Sequence, residues 1–306
     1  MKKINYLFLL FVLFLFLNLF TINNISQIII RVCNIWLNNL IPSIFPFYTI
    51  SDLLINYGFI DILNFALEKP FNKLFKIKGS ATFVFIFSMF TGFPSNAKYI
   101  DSLLKEDLIS IEEANKIIRF THFSNPLFIV NTIGLNILGN KLIGYFILFS
   151  HFFSNFIIAF IFRNEKSNSN SNKKVNHETF GKVITNSINN TFNSLLIILG
   201  NIITFQILLA IIFKYLKFNH SFKIIVNLLL EITSGLFELK SLNISLAIKA
   251  IIATFSLSFG GLCVHSQVYS ILSENKIKYK NYLISRILHA IIASIIMAII
   301  LFFHRI

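Results

Sequence analysis

The chain has 306 residues, 55% of them apolar and 13% charged, with a mean hydropathy of +0.73 and a formal net charge of +14. A soluble domain carries about 25% charged residues, and a core of this size cannot hide such an apolar excess, so a soluble enzyme is excluded. The cations sit in short segments between apolar runs, as in membrane loops, and no basic patch is interleaved with aromatics as nucleic-acid binding requires.

Met1-Lys2-Lys3 precedes an apolar run over 6–22 with no small-x-small cleavage site, which predicts an uncleaved first helix with its N-terminus in the cytoplasm. A spanning helix needs about 20 mostly apolar residues. Further runs of that kind cover 35–60, 141–162, 194–213, 224–238, 244–259 and 282–303, while 81–91 and 125–139 are too brief to span comfortably. The pattern predicts an all-α polytopic membrane protein of about eight membrane segments, one or two of them half-length. The loop from Lys69 to Lys78 and the polar, low-complexity stretch from Arg163 to Lys182 both carry lysines that favour the cytoplasmic side. Lys214, Lys217 and Lys223 cluster where simple alternation puts them outside, so loop charge sets the orientation of the second half only weakly. The expected organisation is an anchor helix and short loop over 1–34, a first membrane repeat over 35–162, a flexible loop over 163–182 and a second repeat over 183–306.

The two repeats are inferred from a likeness between halves, each with a broken or re-entrant helix. Thr91-Gly92-Phe93-Pro94-Ser95-Asn96-Ala97-Lys98 ends a short apolar run, and Ser258-Phe259-Gly260-Gly261-Leu262-Cys263-Val264-His265-Ser266-Gln267 does the same. Each leads through a polar helical stretch to an Arg-x-x-His, Arg119 to His122 and Arg286 to His289, and then to another apolar segment.

In hydrocarbon every backbone polar group must be paired within the protein, so a Gly or Pro break at membrane depth belongs where it lines a cavity. Such breaks at matching positions in two halves point to a transporter's binding site, and a half-helix starting there aims free N–H groups at an anion. Thr91, Gly92, Phe93, Pro94, Ser258, Gly260 and Gly261 are therefore candidate substrate contacts. Lys98, Arg119 and Arg286 would supply cations to a carboxylate, and Asn96, Asn125, His265 and Gln267 polar contacts. Each cation alone could equally face headgroups, and each amide could bridge helices. Glu231 interrupts an apolar run, and an acid at membrane depth marks a pathway or proton relay; a structural acid paired with a nearby Asn or Lys is the competing reading. Cys263 and His265 lack a third ligand, so no metal site is expected. No cofactor or catalytic motif is legible: nucleophile elbow, Walker loop, HExxH and paired carboxylates are all missing.

Pro42-Ser43-Ile44-Phe45-Pro46-Phe47, the two glycine-bearing stretches above and Asn125-Pro126-Leu127-Phe128 resemble the sporulation integral membrane protein YlbJ family (also called SpoVV), of the nucleoside-recognition or Gate domain group, over residues 35–300 or so. The resemblance implies an endospore-former's protein in the membrane around the forespore, helping to move dipicolinic acid into the developing spore. Ser95-Asn96 stands where smaller residues are expected. Lipid and the anion are the implied partners, with a second copy of the chain or other sporulation membrane proteins beside them. A nucleoside transporter, or a non-transport scaffold using the 163–182 loop, are the alternatives.

Overall fold

Fourteen α-helices and two π-helical segments, with no strand, make up the described residues of the computed structural model, which are 6–22, 24–77, 79–165, 180–273, 275 and 277–304. Among these, five helical segments are long and apolar enough to cross a membrane: Ile25–Ile55, Lys141–Ile161, Phe180–Tyr215, Leu246–Ser273 and Tyr279–His304. A pair bent by 92°, Phe65–Phe75 with Ser80–Thr91, makes a sixth if taken as one broken span.

That is fewer than the eight segments expected, and the reasons are local. Helix α1 is described over Tyr6–Leu19, 14 residues, which is about 21 Å of described helix at 1.5 Å per residue. The run 224–238 is divided at Glu231 into α10 (His220–Leu230) and α11 (Ile232–Leu239), neither long enough to span. Residues 25–34, expected as a loop, belong to helix α2 (Ile25–Ile35), which continues through the π-helical Trp36–Leu40 into α3 (Ile41–Asn56). Lys69 and Lys73 lie within helix α4 (Phe59–Phe75) rather than in a loop. Of the predicted 163–182 loop, residues 166–179 lie outside the described residues, as does Lys78, and 180–182 already belong to α9 (Phe180–Tyr215).

The outer surface is rich in apolar side chains, and polar groups are buried within a largely apolar core. On α14 (Tyr279–His304), Ile287, Ile291, Ile295 and Ile299 recur every fourth residue and are about half exposed, while Ser285, Arg286 and His289 on the opposite face are fully buried. On α8 (Lys141–Ile161), Tyr145, Phe149 and Phe153 face outward and Ser150, His151, Ser154 and Asn155 inward. In water such isoleucine and phenylalanine stripes would cost about 25 cal/mol per Å²; lipid removes that cost, and inward polar groups bond within the protein, as Ser154 Oγ does to His151 O at 3.0 Å and Asn155 Nδ2 to His122 O at 2.7 Å. Helices α8, α12 (Leu246–Phe259) and α14 pack on one another, and the second π-helical segment, Phe128–Ile137, lies along α8.

Two short helical hairpins meet inside this shell. Helix α5 (Ser80–Thr91) turns at Gly92–Pro94 into α6 (Ser95–Lys105), antiparallel, as the contact of the Phe83 and Tyr99 rings at 5.6 Å requires. Helices α10 and α11 fold back at Glu231, and their outer ends are tied by His220 Nε2 and Ser241 Oγ, 3.1 Å apart. The 36-residue α9 places the hairpins relative to each other. Lys98 of the first bonds Ser194, nearer the start of α9, whereas Asn227 of the second accepts from Gln206 Nε2, nearer its end. The hairpins thus enter from opposite ends and their tips meet midway.

Candidate solute-binding site

Four helix interruptions close on one cavity. It is lined by Thr91, Phe93 and Pro94 at the α5–α6 turn, by Ser124, Asn125 and Phe128 where the π-helix starts, and by Glu231, Ile232 and Thr233 at the α10–α11 turn. Cys263, Val264 and Gln267 of α13 (Gly261–Ser273) complete it from the fourth break, together with Leu40, Ile44, Ile198 and Ile202.

The breaks touch through glycine. Gly92 has φ +78°, and a Cβ there would stand 2.9 Å from the backbone nitrogen of Asn125. Gly260 has φ +96°, where a Cβ would meet the His122 ring at 2.9 Å, and at Gly261 it would meet Ile232 N at 3.3 Å. Both glycine-bearing stretches are therefore interrupted helix, as the sequence predicts, because only glycine permits these conformations and approaches.

Two of the helix starts are capped by their own side chains. The Glu231 carboxylate accepts the N–H groups of Thr233 at 2.8 Å and Ser234 at 2.7 Å, with Gln206 Nε2 at 3.4 Å. Asn125 Oδ1 accepts from Leu127 N at 2.9 Å and Phe128 N at 3.3 Å, and its Nδ2 donates to Phe90 O at 2.7 Å, tying the first break to the second. Helix α6, by contrast, starts after Pro94 with no side-chain cap. Glu231 is 1% exposed and among the described residues has no basic partner within ion-pair distance. Among the described residues it is the cavity's one carboxylate, and no lysine, arginine or histidine lines the wall. The enclosed space is about 50 Å³, enough for a few waters at 10–15 Å³ each and far below the roughly 300 Å³ of an ordinary ligand pocket. At that volume the cavity is closed to a solute of ordinary size.

Of the predicted contacts, Thr91, Phe93, Pro94, Asn125, Gln267 and Glu231 line this cavity, with Gly92, Gly260 and Gly261 shaping the breaks behind it. Lys98, Arg119 and Arg286 do not, which corrects the expectation of three cations around a shared pocket. Lys98 donates to Ser194 Oγ, one turn further along α6. Arg119 pairs with Glu165 at 2.9 Å and lies over the Phe162 ring, drawn outward by the acid that follows α8. Arg286 is fully buried, its Nη1 donating to His289 Nδ1 at 2.8 Å and its Nη2 to Arg119 O, so a main-chain carbonyl just beyond α7 (Ile111–Ile117) receives it. The two Arg-x-x-His motifs are not equivalent in place. Arg119 and His122 lie in a non-helical connection and Arg286 and His289 inside α14; His122, Arg286 and His289 converge on one polar cluster, which Arg119 joins through its carbonyl alone.

In that cluster His151 Nε2 accepts from Ser124 N at 3.0 Å, which leaves Nδ1–H to meet Ser258 Oγ at 2.9 Å. His289 accepts at Nδ1 from Arg286, so its Nε2–H donates to His151 O at 2.8 Å. Ser258 thus serves the cluster rather than the cavity. So does Asn96, whose Nδ2 lies 3.4 Å from Thr121 Oγ1. His265 bonds Phe259 O at 2.9 Å and the Tyr279 hydroxyl at 3.0 Å, locking the α12–α13 break. The sequence reading missed Ser124, Phe128, Thr233, Gln206 and the isoleucines of α9. Gln206, a lone amide in an apolar run, and Pro126, next to Asn125, were readable signals; Ile198 and Ile202 carried none.

No family model matches the chain, and no solved structure does. Over 301 residues it is 27% identical to the sporulation integral membrane protein YlbJ of Bacillus subtilis (strain 168), covering 86% of this chain and 74% of that protein. The glycine-bearing breaks, the apolar helices and this similarity agree: the chain is an integral membrane protein similar along most of its length to the sporulation protein YlbJ.

Proposed function

We propose that the protein is a transporter of sporulation, moving dipicolinate, a flat organic dianion, through the outer forespore membrane into the developing spore. The observation that carries transport is the meeting of four helix interruptions, two before α9 in sequence and two after it, on one cavity. Irregular backbone is tolerated at membrane depth only where it lines a cavity or is buried in protein, and broken helices in paired arrangement are the usual frame of a midplane site. Each half then contributes a hairpin, an interrupted segment and a closing span: α5–α6, 111–137 and α8 in the first, α10–α11, α12–α13 and α14 in the second. On this reading the Gly92–Pro94 turn corresponds to the Glu231 turn and the Asn125 break to the Gly260 break, in place of the Gly92–Gly260 match expected from the sequence. The substrate comes from the resemblance to the YlbJ family; the uncapped start of α6 at Pro94 suits a carboxylate. Glu231 takes up and releases the coupling proton, a role supported by its burial in the cavity wall without a basic partner.

A second reading has one specific observation in its favour. A cavity with a single carboxylate and no cation among the described residues suits a neutral solute such as a nucleoside better than a dianion. Purified protein in liposomes decides, with labelled dipicolinate and labelled uridine offered separately, with and without a pH gradient. Saturable dipicolinate flux that responds to the gradient is the expected result. Uridine flux without dipicolinate flux would install the second reading, and flux of neither would remove transport.

A further inference from the structure

A second, partly open cavity of about 360 Å³ lies beyond the closed one, framed by Tyr48, Asp52, Lys98, Ser102, Asn190 and Ser270, among others. Its walls come from the helices that line the closed cavity or lead from it, each further along its axis. On α3 the lining moves from Ile44 to Tyr48 and Asp52, and past the first break from Pro94 to Lys98 and Ser102. On α13 it moves from Gln267 to Ser270 and Ile271. On α9, which runs the opposite way, it moves back from Ile198 to Asn193 and Asn190. A step of four residues is about 6 Å, so four separate helices place the second cavity one to two turns from the first.

Between the two lies a single polar layer. Lys98 donates its ammonium to Ser194 Oγ, which itself donates to Asn190 O at 2.6 Å and lies 3.3 Å from the Tyr48 hydroxyl, and Lys98 Nζ lies 5.9 Å from the centre of the Tyr48 ring. Tyr48 is 5% and Ser194 3% exposed, so this is where the outer space ends. We infer that the outer cavity is the entrance to the closed one, and that Lys98, Ser194 and Tyr48 form the shut layer a solute must part to reach Glu231. The inference rests on the transport reading but is tested apart from it. Lys98, which sequence alone makes a substrate contact, acts here on passage, and the entrance opens at the end of the protein where α9 begins.

Cys263 lines the closed cavity and is a native probe. With Cys33→Ser it becomes the only thiol, and its reaction with a small water-borne methanethiosulfonate reports access from solvent. Access scales with the open population, so Tyr48→Ala should speed labelling about tenfold, and Ser102→Trp or Asn193→Trp, which fill the entrance, should slow it by a similar factor. Monodispersity in detergent checks that each variant folds, and the tryptophan variants leave the layer intact. Labelling indifferent both to opening the layer and to filling the entrance would overturn the inference, as would Cys263 being reached only from the membrane face opposite to a Ser102→Cys probe. Because the readout is thiol reaction and not flux, the entrance can fail while transport stands, and transport can fail while the entrance stands.

Discussion

Gly92 and Asn125 approach so closely that a methyl group on the glycine would stand 2.9 Å from the asparagine's backbone nitrogen. The glycine also has φ +78° and ψ −175°, a region almost reserved for glycine. Gly92→Ala should therefore cost about 1–3 kcal/mol or more, seen as a lower melting temperature in detergent. Gly200 is the control, since nothing lies within 4 Å of a Cβ there. Gly200→Ala, in a helix interior, should be neutral or stabilising by about 0.5–1 kcal/mol. Equal losses at both positions would remove the close-approach argument.

Glu231 caps α11 and stands in the cavity wall at once, so its two roles separate by substitution. Glu231→Gln retains an acceptor for one of the two amides at 2.7 and 2.8 Å but cannot exchange a proton. Flux should lose its response to a pH gradient, with melting shifted by no more than a lost cap, about 0.5–2 kcal/mol. Glu231→Leu should be the less stable of the two. A full gradient response in the glutamine variant would rule out Glu231 as the proton carrier.

Arg119 and Arg286 look alike in sequence and should behave unlike. The Arg119–Glu165 pair has its arginine 10% and its acid 36% exposed, so it contributes somewhat more than the roughly 0–1 kcal/mol of a fully exposed pair; Arg119→Ala should leave flux near wild type and lower melting less than the loss of Arg286. Arg286 is fully buried and donates to two groups; Arg286→Met leaves His289 and the Arg119 carbonyl short of a donor, a loss of about 1–3 kcal/mol for each group left unsatisfied. Thermal melts of both variants beside liposome flux make the comparison. Flux abolished in a well-folded Arg119→Ala protein would restore that residue to the solute path.

Lys116 is 1% exposed, and its ammonium donates to the carbonyls of Lys76 at 2.7 Å and Arg163 at 2.9 Å, the ends of α4 and α8. Helix C-termini attract a cation, and this one joins three segments far apart in sequence. Lys116→Met should lower stability by about 1–3 kcal/mol, while Lys105→Met, at an exposed i,i+4 pair with Asp101, should shift it by less than about 0.5 kcal/mol. Parallel melts of the two variants check the difference.

The positions of both glycine breaks and the anomaly of Glu231 were legible because each is a local violation of a local rule: a small residue or an acid inside an apolar run. Partnership was not legible. The likeness of Arg119-x-x-His122 to Arg286-x-x-His289 suggested equivalent places, yet Arg119 is held by Glu165, just ahead of the polar stretch, and Arg286 by a carbonyl 167 positions away in sequence. Spacing along a chain carries no record of which distant group will offer the better hydrogen bond. The short helices α10 and α11 read as one span because the hydropathy of 224–238 hardly falls at a single acid, while the turn depends on that acid capping the helix after it.

Helix α9 sets a limit on motion. At 36 residues it is about 54 Å long, well over the roughly 30 Å of hydrocarbon in a bilayer, and it has no proline at which to bend. It therefore behaves as a rail, with Ser194 and Gln206 a fixed 12 residues apart. Any widening of the space between the two tips must come from a hairpin sliding along that rail or from α3 swinging away from it, so cross-linking α3 to α9 at Thr49 and Thr191, whose hydroxyls lie 3.1 Å apart, would tell the two movements apart.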